Sequence, residues 1–174
     1  MSTASPTAAP RPPRTTVAAF LTSSVAGVTH ALFSLYWFMG GSLLTDTVSA
    51  QLALLADRHW LLLTVAVVKT GFALLPLVLL ARRYQRRRPV RVVCWFGATV
   101  LLLWGGVNTV TSNLVLAGFI QPSDDYDRLG MAGHAWLWDP LFLLWGGALI
   151  IGLMCSRGRA VVTLGSADSR TAAR

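Results

Sequence analysis

Residues 60–81 read WLLLTVAVVKTGFALLPLVLLA, and Lys69 is the one charged side chain in this stretch. About 20 apolar residues in a helix are enough to cross the hydrocarbon layer of a bilayer. Because lipid offers the backbone no hydrogen-bond partner, a segment that crosses it must be helical. The stretch therefore predicts a transmembrane helix with a lysine near its middle.

Three further apolar segments flank this one, at about residues 17–39, 92–120 and 136–155. Hydrophobic residues make up 54% of the 174-residue chain, charged residues only 13%, and the mean hydropathy is +0.57. An average soluble domain is about one-quarter charged, so this composition excludes a water-soluble globule. The sequence predicts an all-α protein with one transmembrane domain, residues 17–156, folded as a four-helix bundle with short outer loops.

Basic residues are distributed unevenly around the predicted spans. Two precede the first span, six lie in the loop after the second and four follow the last, whereas the other two loops have one each. Cytoplasmic loops carry the excess of Lys and Arg, which predicts that both termini are cytoplasmic. The arginines that dominate this count are Arg82, Arg83, Arg86, Arg87 and Arg88. Binding of anionic lipid head groups, at about 1 kcal/mol per charge, is the alternative role of this cluster.

Both tails are polar and lack large apolar side chains. Residues 1–16 are rich in Pro, Ala, Ser and Thr, and residues 157–174 are small and polar, so both are predicted to be disordered. Basic residues before an apolar run are also typical of a signal peptide. The run that begins at Val17 is too long for a signal core and ends in aromatic residues, which favours an uncleaved first span.

Among the polar side chains within the predicted spans, four carry most of the information, one in each span: His30, Lys69, Asn108 and Asp139. At a rise of about 1.5 Å per residue, all four fall in the outer half of the bilayer. An intramembrane cation costs about 2.5–3.5 kcal/mol on insertion scales. Lys69 is therefore expected to pair with an acid, to lose its proton or to face a water-filled cavity. Asp139 is the acid within reach, and an axial offset of about 9 Å leaves room for a water or a ligand between them.

Together with Asn113, these four residues form a predicted outward-facing polar pocket. The alternative interpretation is purely structural. Lys69 and Asp139 would then be an ion pair that holds the bundle together. Asn108 and Asn113 would form hydrogen bonds across helices, each contributing about 0.6–2 kcal/mol.

Two glycine pairs lie at similar depth in the third and fourth spans. They are Gly105–Gly106 and Gly146–Gly147, each preceded by a tryptophan. Small residues let neighbouring helix backbones approach closely, which drives helix association in lipid. We therefore predict a packing seam between these two spans.

No cofactor is expected from the sequence. Bis-histidine haem would need a second histidine at the depth of His30, and no group of His, Cys and carboxylate residues has the spacing of metal ligands. The sequence shows no nucleophile–base set of the kind that hydrolases use, which favours a non-enzymatic role. Arginines placed beside membrane spans likewise argue against nucleic acid as a partner.

Two short aromatic motifs resemble a known family. They are Ser34-Leu-Tyr36-Trp37-Phe-Met-Gly40-Gly41 and Leu137-Trp138-Asp139-Pro140-Leu-Phe-Leu-Leu-Trp145-Gly146. The chain is similar, from Val17 to Leu153, to small bacterial four-helix membrane proteins catalogued as a domain of unknown function, number 3995. The resemblance implies a topology and a membrane location but no activity. Members often have a histidine at the position of Ser34, whereas here His30 lies one turn earlier.

Three functions remain open at this point. The first is a binding module whose pocket takes a lipid, a small anion or a proton. The second is an accessory or scaffold protein that pairs with another membrane protein or a second copy of itself. A membrane enzyme, with His30 or Asp139 as acid or base and Lys69 stabilising an anion, ranks last. All three share the lipid bilayer, expected to be the cytoplasmic membrane of a bacterium.

Overall fold

The computed structural model describes residues 12–81, 88–122 and 126–156. Within these ranges all regular structure is helical, which confirms the all-α prediction. The α-helices are α1 (Arg14–Phe38), α2 (Ser49–Leu54), α3 (Trp60–Leu80), α4 (Arg88–Leu116), α5 (Arg128–Gly133) and α6 (Asp139–Cys155). In this part of the chain, α1, α3, α4 and the stretch from Arg128 to Cys155 are long and apolar enough to cross a membrane.

Some sequence predictions concern residues that the structure does not describe. Residues 1–11 and 157–174, which make up most of the two predicted disordered tails, lie outside the described ranges. So do Arg82, Arg83, Arg86 and Arg87 of the predicted topology cluster. Arg88 is described and is the first residue of α4.

The four long segments pack side by side in the order α3, α1, α6, α4. At one end, here called the loop end, Trp37, Leu62 and Trp138 form a buried cluster. At the other end, the termini end, α1 begins and α3 finishes, and Phe20 and Leu79 are buried together. Each long segment is therefore antiparallel to the neighbours it packs against.

Helix α4 ends at Leu116, four residues before the predicted limit of the third span. Gly118 has a left-handed backbone (φ 78°), and its N–H donates to the Val115 carbonyl oxygen. The Phe119 N–H donates to the Leu114 carbonyl oxygen. These two bonds are the Schellman motif, which satisfies the last carbonyls of a helix and terminates it. The glycine that stops the helix was visible in the sequence and was overlooked because the segment stays apolar beyond it.

The connection between α1 and α3 is a folded segment rather than the predicted short loop. It contains two 3₁₀ turns, Thr45–Thr47 and Ala56–Arg58, on either side of α2. Two tryptophans hold it to the bundle: the indole N–H of Trp37 donates to the Leu43 carbonyl oxygen, and that of Trp138 donates to Thr47 Oγ1. The segment therefore covers the loop end.

The fourth membrane-crossing segment begins earlier than predicted and contains a change of helix type. Residues His134–Trp138, between α5 and α6, form a π-helical turn. Pro140, which follows it, has no N–H to donate, and its ring crowds the carbonyl of the residue four positions earlier, Trp136. A wider turn at this point relieves that crowding, so the proline accounts for the position of the π turn.

Asp127 caps α5 and joins it to α2. Its carboxylate accepts hydrogen bonds from the Gly130 N–H (2.8 Å) and the Ser49 hydroxyl (2.5 Å). Both bonds lower the pKa of Asp127 below its ordinary value of 3.8, and the bond from Gly130 has the larger effect. Because the pKa of Asp127 is lower in the folded protein than in the unfolded one, the two hydrogen bonds stabilise the fold fully at a pH above the ordinary pKa. This stabilisation is lost as the pH falls through the pKa of the folded state.

We therefore expect the Gly130 amide to exchange with solvent faster when the pH falls below about 4. Hydrogen exchange of the full chain in detergent micelles, corrected for the intrinsic pH dependence of exchange, measures this change. In Asp127→Asn the side chain keeps an oxygen acceptor but does not titrate, so its protection should be independent of pH. Equal pH dependence in both proteins would contradict the assignment.

Candidate functional site

A cavity of about 260 Å³ lies at the loop end of the bundle. Its walls come from α1, α3, α4, the π turn and α6, and part of its rim is provided by α2. Most of the lining is apolar, with the aromatic rings of Trp37, Trp104, Trp138 and Phe142. Six polar side chains also line it: His30, Ser34, Gln51, Lys69, His134 and Asp139.

On one wall of the cavity, Lys69 of α3 meets two residues of α1. Its ammonium nitrogen lies 3.0 Å from His30 Nδ1 and 3.1 Å from Ser34 Oγ. The same nitrogen lies 5.6 Å from the centre of the Phe142 ring, within the range of a cation–π contact. We call Lys69, His30 and Ser34 the Lys69 cluster. It joins two helices and places a cation beside an open volume.

The geometry of His30 fixes its tautomer when Lys69 is an ammonium. An ammonium only donates, so Nδ1 of His30 accepts and the ring proton lies on Nε2. This Nε2 is buried and has no hydrogen-bond partner among the described residues. The ring instead stacks on Phe142, with 4.1 Å between ring centres. His30 is thus held as a neutral acceptor for Lys69.

Elsewhere in the cavity lining, a chain of hydrogen bonds ends at a buried carboxylate. Asp139 Oδ2 lies 2.7 Å from His134 Nδ1, and Asp139 Oδ1 accepts from the Asn108 amide at 3.4 Å. His134 Nε2 lies 2.7 Å from the Gln51 amide nitrogen. We call these four residues the Asp139 chain. With Nδ1 donating to the carboxylate, Nε2 of His134 is the acceptor and Gln51 the donor.

The π turn is what brings His134 to Asp139. These two residues are five apart in sequence, and in an α-helix they would point about 140° away from each other. A π turn forms hydrogen bonds between residues five apart and stacks them on one face. The widened turn therefore aims His134 and Asp139 into the same cavity. His134 was not among the residues that the sequence predicted for the pocket.

Lys69 and Asp139 line the same cavity but do not touch. Within the described residues, the carboxylate of Asp139 pairs with His134, and no carboxylate lies within 4.0 Å of the Lys69 ammonium. The cation and the acid each have partners of their own instead.

The two predicted asparagines lie behind the cavity. Asn108 reaches the carboxylate of Asp139 from α4. Asn113 donates to the Thr109 carbonyl oxygen at 2.8 Å and to the Ala135 carbonyl oxygen at 3.4 Å. Both link α4 to the segment that contains α6, which is the cross-helix role considered for them.

Within each glycine pair, the two glycines differ in the atoms that they pack against. A Cβ on Gly105 would lie 2.6 Å from the Asp139 carbonyl oxygen, and one on Gly146 would lie 2.8 Å from the Ala98 carbonyl oxygen. For Gly106 and Gly147 the nearest atoms are side-chain methyl carbons at 3.6 and 3.9 Å. Gly105 and Gly146 therefore lie at the closest approach of α4 and α6, and Gly106 and Gly147 lie at the edge of this contact.

Several cavity residues were missed by the sequence analysis. Ser34 was noticed only as a replacement for histidine, yet its hydroxyl contacts the Lys69 ammonium just as His30 does. Gln51 lies in a connecting segment, where a polar residue is unremarkable. Trp104, the tryptophan that precedes Gly105–Gly106, also lines the cavity. Nothing in the sequence pattern links Gln51 to a site 83 residues away.

In the described ranges, no three His, Cys, Asp or Glu side chains are grouped as ligands of one ion. His134 and Asp139 are a pair, and their facing atoms are already bonded to each other. The chemistry that the cavity offers is hydrogen bonding and charge rather than coordination.

A family model described as "Protein of unknown function (DUF3995)" matches residues 27–149. The matched region contains both polar clusters and all the aromatic residues of the cavity wall. Neither the curated proteins nor the solved structures contain a significant match.

Proposed function

This chain belongs to the family of proteins of unknown function DUF3995, and from that premise we propose that it is a membrane protein that binds a small anionic molecule. The match agrees with the resemblance of the Tyr36-Trp37 and Trp138-Asp139 motifs. The proposed ligand site is the cavity between the Lys69 cluster and the Asp139 chain. The ligand presents an anionic or strongly hydrogen-bond-accepting group to Lys69.

The Lys69 ammonium is the observation that carries this proposal. An ammonium has three N–H donors, and the described residues accept two of them, through His30 and Ser34. Both acceptors are neutral in this arrangement, so they solvate the cation without compensating its charge. A buried charge without a counterion is costly. An anionic group in the cavity would accept a hydrogen bond from the third N–H and supply the compensating negative charge.

The arginine distribution supports a membrane orientation for the site. Basic residues concentrate at and just before the start of α1, around the α3–α4 connection, and after α6. The positive-inside rule then places the termini end at the cytoplasm and the cavity on the opposite side. We propose the cytoplasmic membrane of a bacterium as the location. His30 lies about 12 Å from the loop end of α1, so the site is within the hydrocarbon layer.

Lys69→Met tests the proposed site directly. Native mass spectrometry of the full chain, purified in mild detergent, should show a one-to-one adduct with a small molecule in the wild type. A hydrogen bond to a charged group contributes about 1.5–3 kcal/mol, so occupancy should fall about 10- to 100-fold in Lys69→Met. Val67→Met introduces the same side chain on the opposite face of α3, where Val67 is 62% exposed, and should keep the adduct.

A structural role for the same residues is the alternative that the geometry favours next. Lys69 joins α3 to α1, and Asn108 joins α4 to α6. Replacing buried polar groups by apolar ones of similar volume is often neutral or stabilising. A ligand-free wild type, with Lys69→Met/Asp139→Leu folded and at least as stable, would refute the binding proposal and support an accessory or scaffold role.

A further inference from the structure

Helices α3 and α4 pack against each other near the termini end of the bundle and separate toward its loop end. Near the termini end the two helices meet, and a Cβ on Gly97 of α4 would collide with the ring of Phe72 of α3. Leu79 of α3 and Cys94 of α4 belong to one buried cluster there. The cluster at the loop end, among the described residues, draws on α1, α3 and the fourth segment and includes no residue of α4.

Two residues that line the cavity are also exposed on the outside of the bundle. Val65 of α3 is 37% exposed, and Trp104 of α4 is 62% exposed. They stand on the two helices that separate at this level, with apolar surface around them. The cavity therefore reaches the outer surface of the bundle through a side opening between Val65 and Trp104. In a membrane, that surface faces lipid rather than water.

The size of the cavity limits what it encloses. Pockets that enclose a drug-sized molecule measure about 300–1,000 Å³, and this one measures about 260 Å³. It has room for a head group and a few carbon atoms. A longer apolar chain has to continue through the side opening, between two apolar helix surfaces. A phospholipid with two chains and a bulky head group does not fit.

We propose that the ligand is a single-chain anionic amphiphile that enters from the bilayer, with its head group at Lys69 and its chain between Val65 and Trp104. This inference rests on the proposed function, because Lys69 is the anion-binding group in both. It adds the class of the ligand and its route. A carboxylate or a phosphate head group satisfies the same ammonium. A cationic amphiphile would place like charges together.

The test uses the full chain in phosphatidylcholine nanodiscs with radiolabelled dodecanoate, and empty nanodiscs correct for partitioning. Dodecanoate should bind saturably at one site per chain. Lys69→Met should weaken this binding at least about tenfold. Val65→Trp fills the side opening and should weaken it by a similar factor, whereas Val67→Trp, on the opposite face of α3, should not. Acetate has the head group without the chain, and dodecyltrimethylammonium has the chain with the opposite charge. Neither compound should displace the label.

The outcomes separate this inference from the function on which it rests. If radiolabelled acetate binds in a Lys69-dependent way while dodecanoate does not, the amphiphile is wrong and the anion site stands. If Val65→Trp leaves dodecanoate binding unchanged, the side route is wrong. If neither probe binds in a Lys69-dependent way, both proposals fail. Should Val65→Trp not fold, Trp104→Ala removes one wall of the opening and should weaken dodecanoate about fivefold, with any acetate binding unchanged.

Discussion

Gly105→Ala and Gly146→Ala should each lower the free energy of unfolding by about 2 kcal/mol or more. The new methyl groups would lie 2.6 Å from the Asp139 carbonyl oxygen and 2.8 Å from the Ala98 carbonyl oxygen. These are backbone atoms of the facing helix, which cannot rotate away as a side chain can. Helices α4 and α6 would have to separate, and dispersion contacts along the whole seam would weaken.

Gly106→Ala and Gly147→Ala are the matched controls, because each new methyl group meets only a flexible side-chain methyl at 3.6 or 3.9 Å. Alanine favours a helix over glycine by about 1 kcal/mol, so these variants should be unchanged or slightly stabilised. Unfolding by titration with sodium dodecyl sulfate, followed by circular dichroism, measures all four. If the two members of each pair lose equal stability, the α4–α6 contact is not where we place it.

Trp145→Ala should also destabilise the bundle strongly. Trp145 is 1% exposed, its ring is in contact with Gly27 of α1, and its centre lies 5.6 Å from that of Phe72 of α3. Truncating a buried tryptophan to alanine costs about 3–5 kcal/mol in soluble proteins through lost transfer energy and the cavity left behind. A separated helix remains in lipid, which is itself apolar, so the cavity term dominates here. We expect a loss of about 2–3 kcal/mol.

Two comparisons make the Trp145 prediction specific. Trp145→Phe should recover most of the stability, because the ring contacts are largely kept and the indole N–H has no partner among the described residues. Trp136→Ala, at an exposed position of the same membrane-crossing segment, should change the stability by less than about 1 kcal/mol. The same detergent titration applies. A loss in Trp136→Ala as large as that in Trp145→Ala would show that the truncated ring, rather than its burial, matters.

Local signals carried most of the fold prediction. The apolar run around Lys69 became α3, Trp60–Leu80, and the other three runs became long helical segments, because a membrane leaves a long apolar stretch no alternative to a helix. The ends of helices were predicted less well. The third span was extended to Ile120 although Gly118 terminates α4, since hydropathy continues where the backbone turns.

The candidate site was only partly visible in the sequence. A charged side chain in an apolar run stands out, so Lys69 and Asp139 were identified as unusual. Their partners His30 and Asn108 were identified too, but Ser34, His134 and the Gln51 that contacts His134 were not, because they are common residues in unremarkable positions. The side-chain directions of an ideal α-helix also fail at the π turn. There the extra width of the helix rotates His134 toward Asp139.

The sequence by itself determined the helical class and the number of long apolar segments, because these depend on composition and on the length of each apolar run. Only the tertiary structure decided that Lys69 pairs with His30 and Ser34, that His134 pairs with Asp139, and that both sets line one cavity. Those outcomes depend on helix order and rotation. In lipid, both are set by close packing at a few small residues rather than by hydropathy.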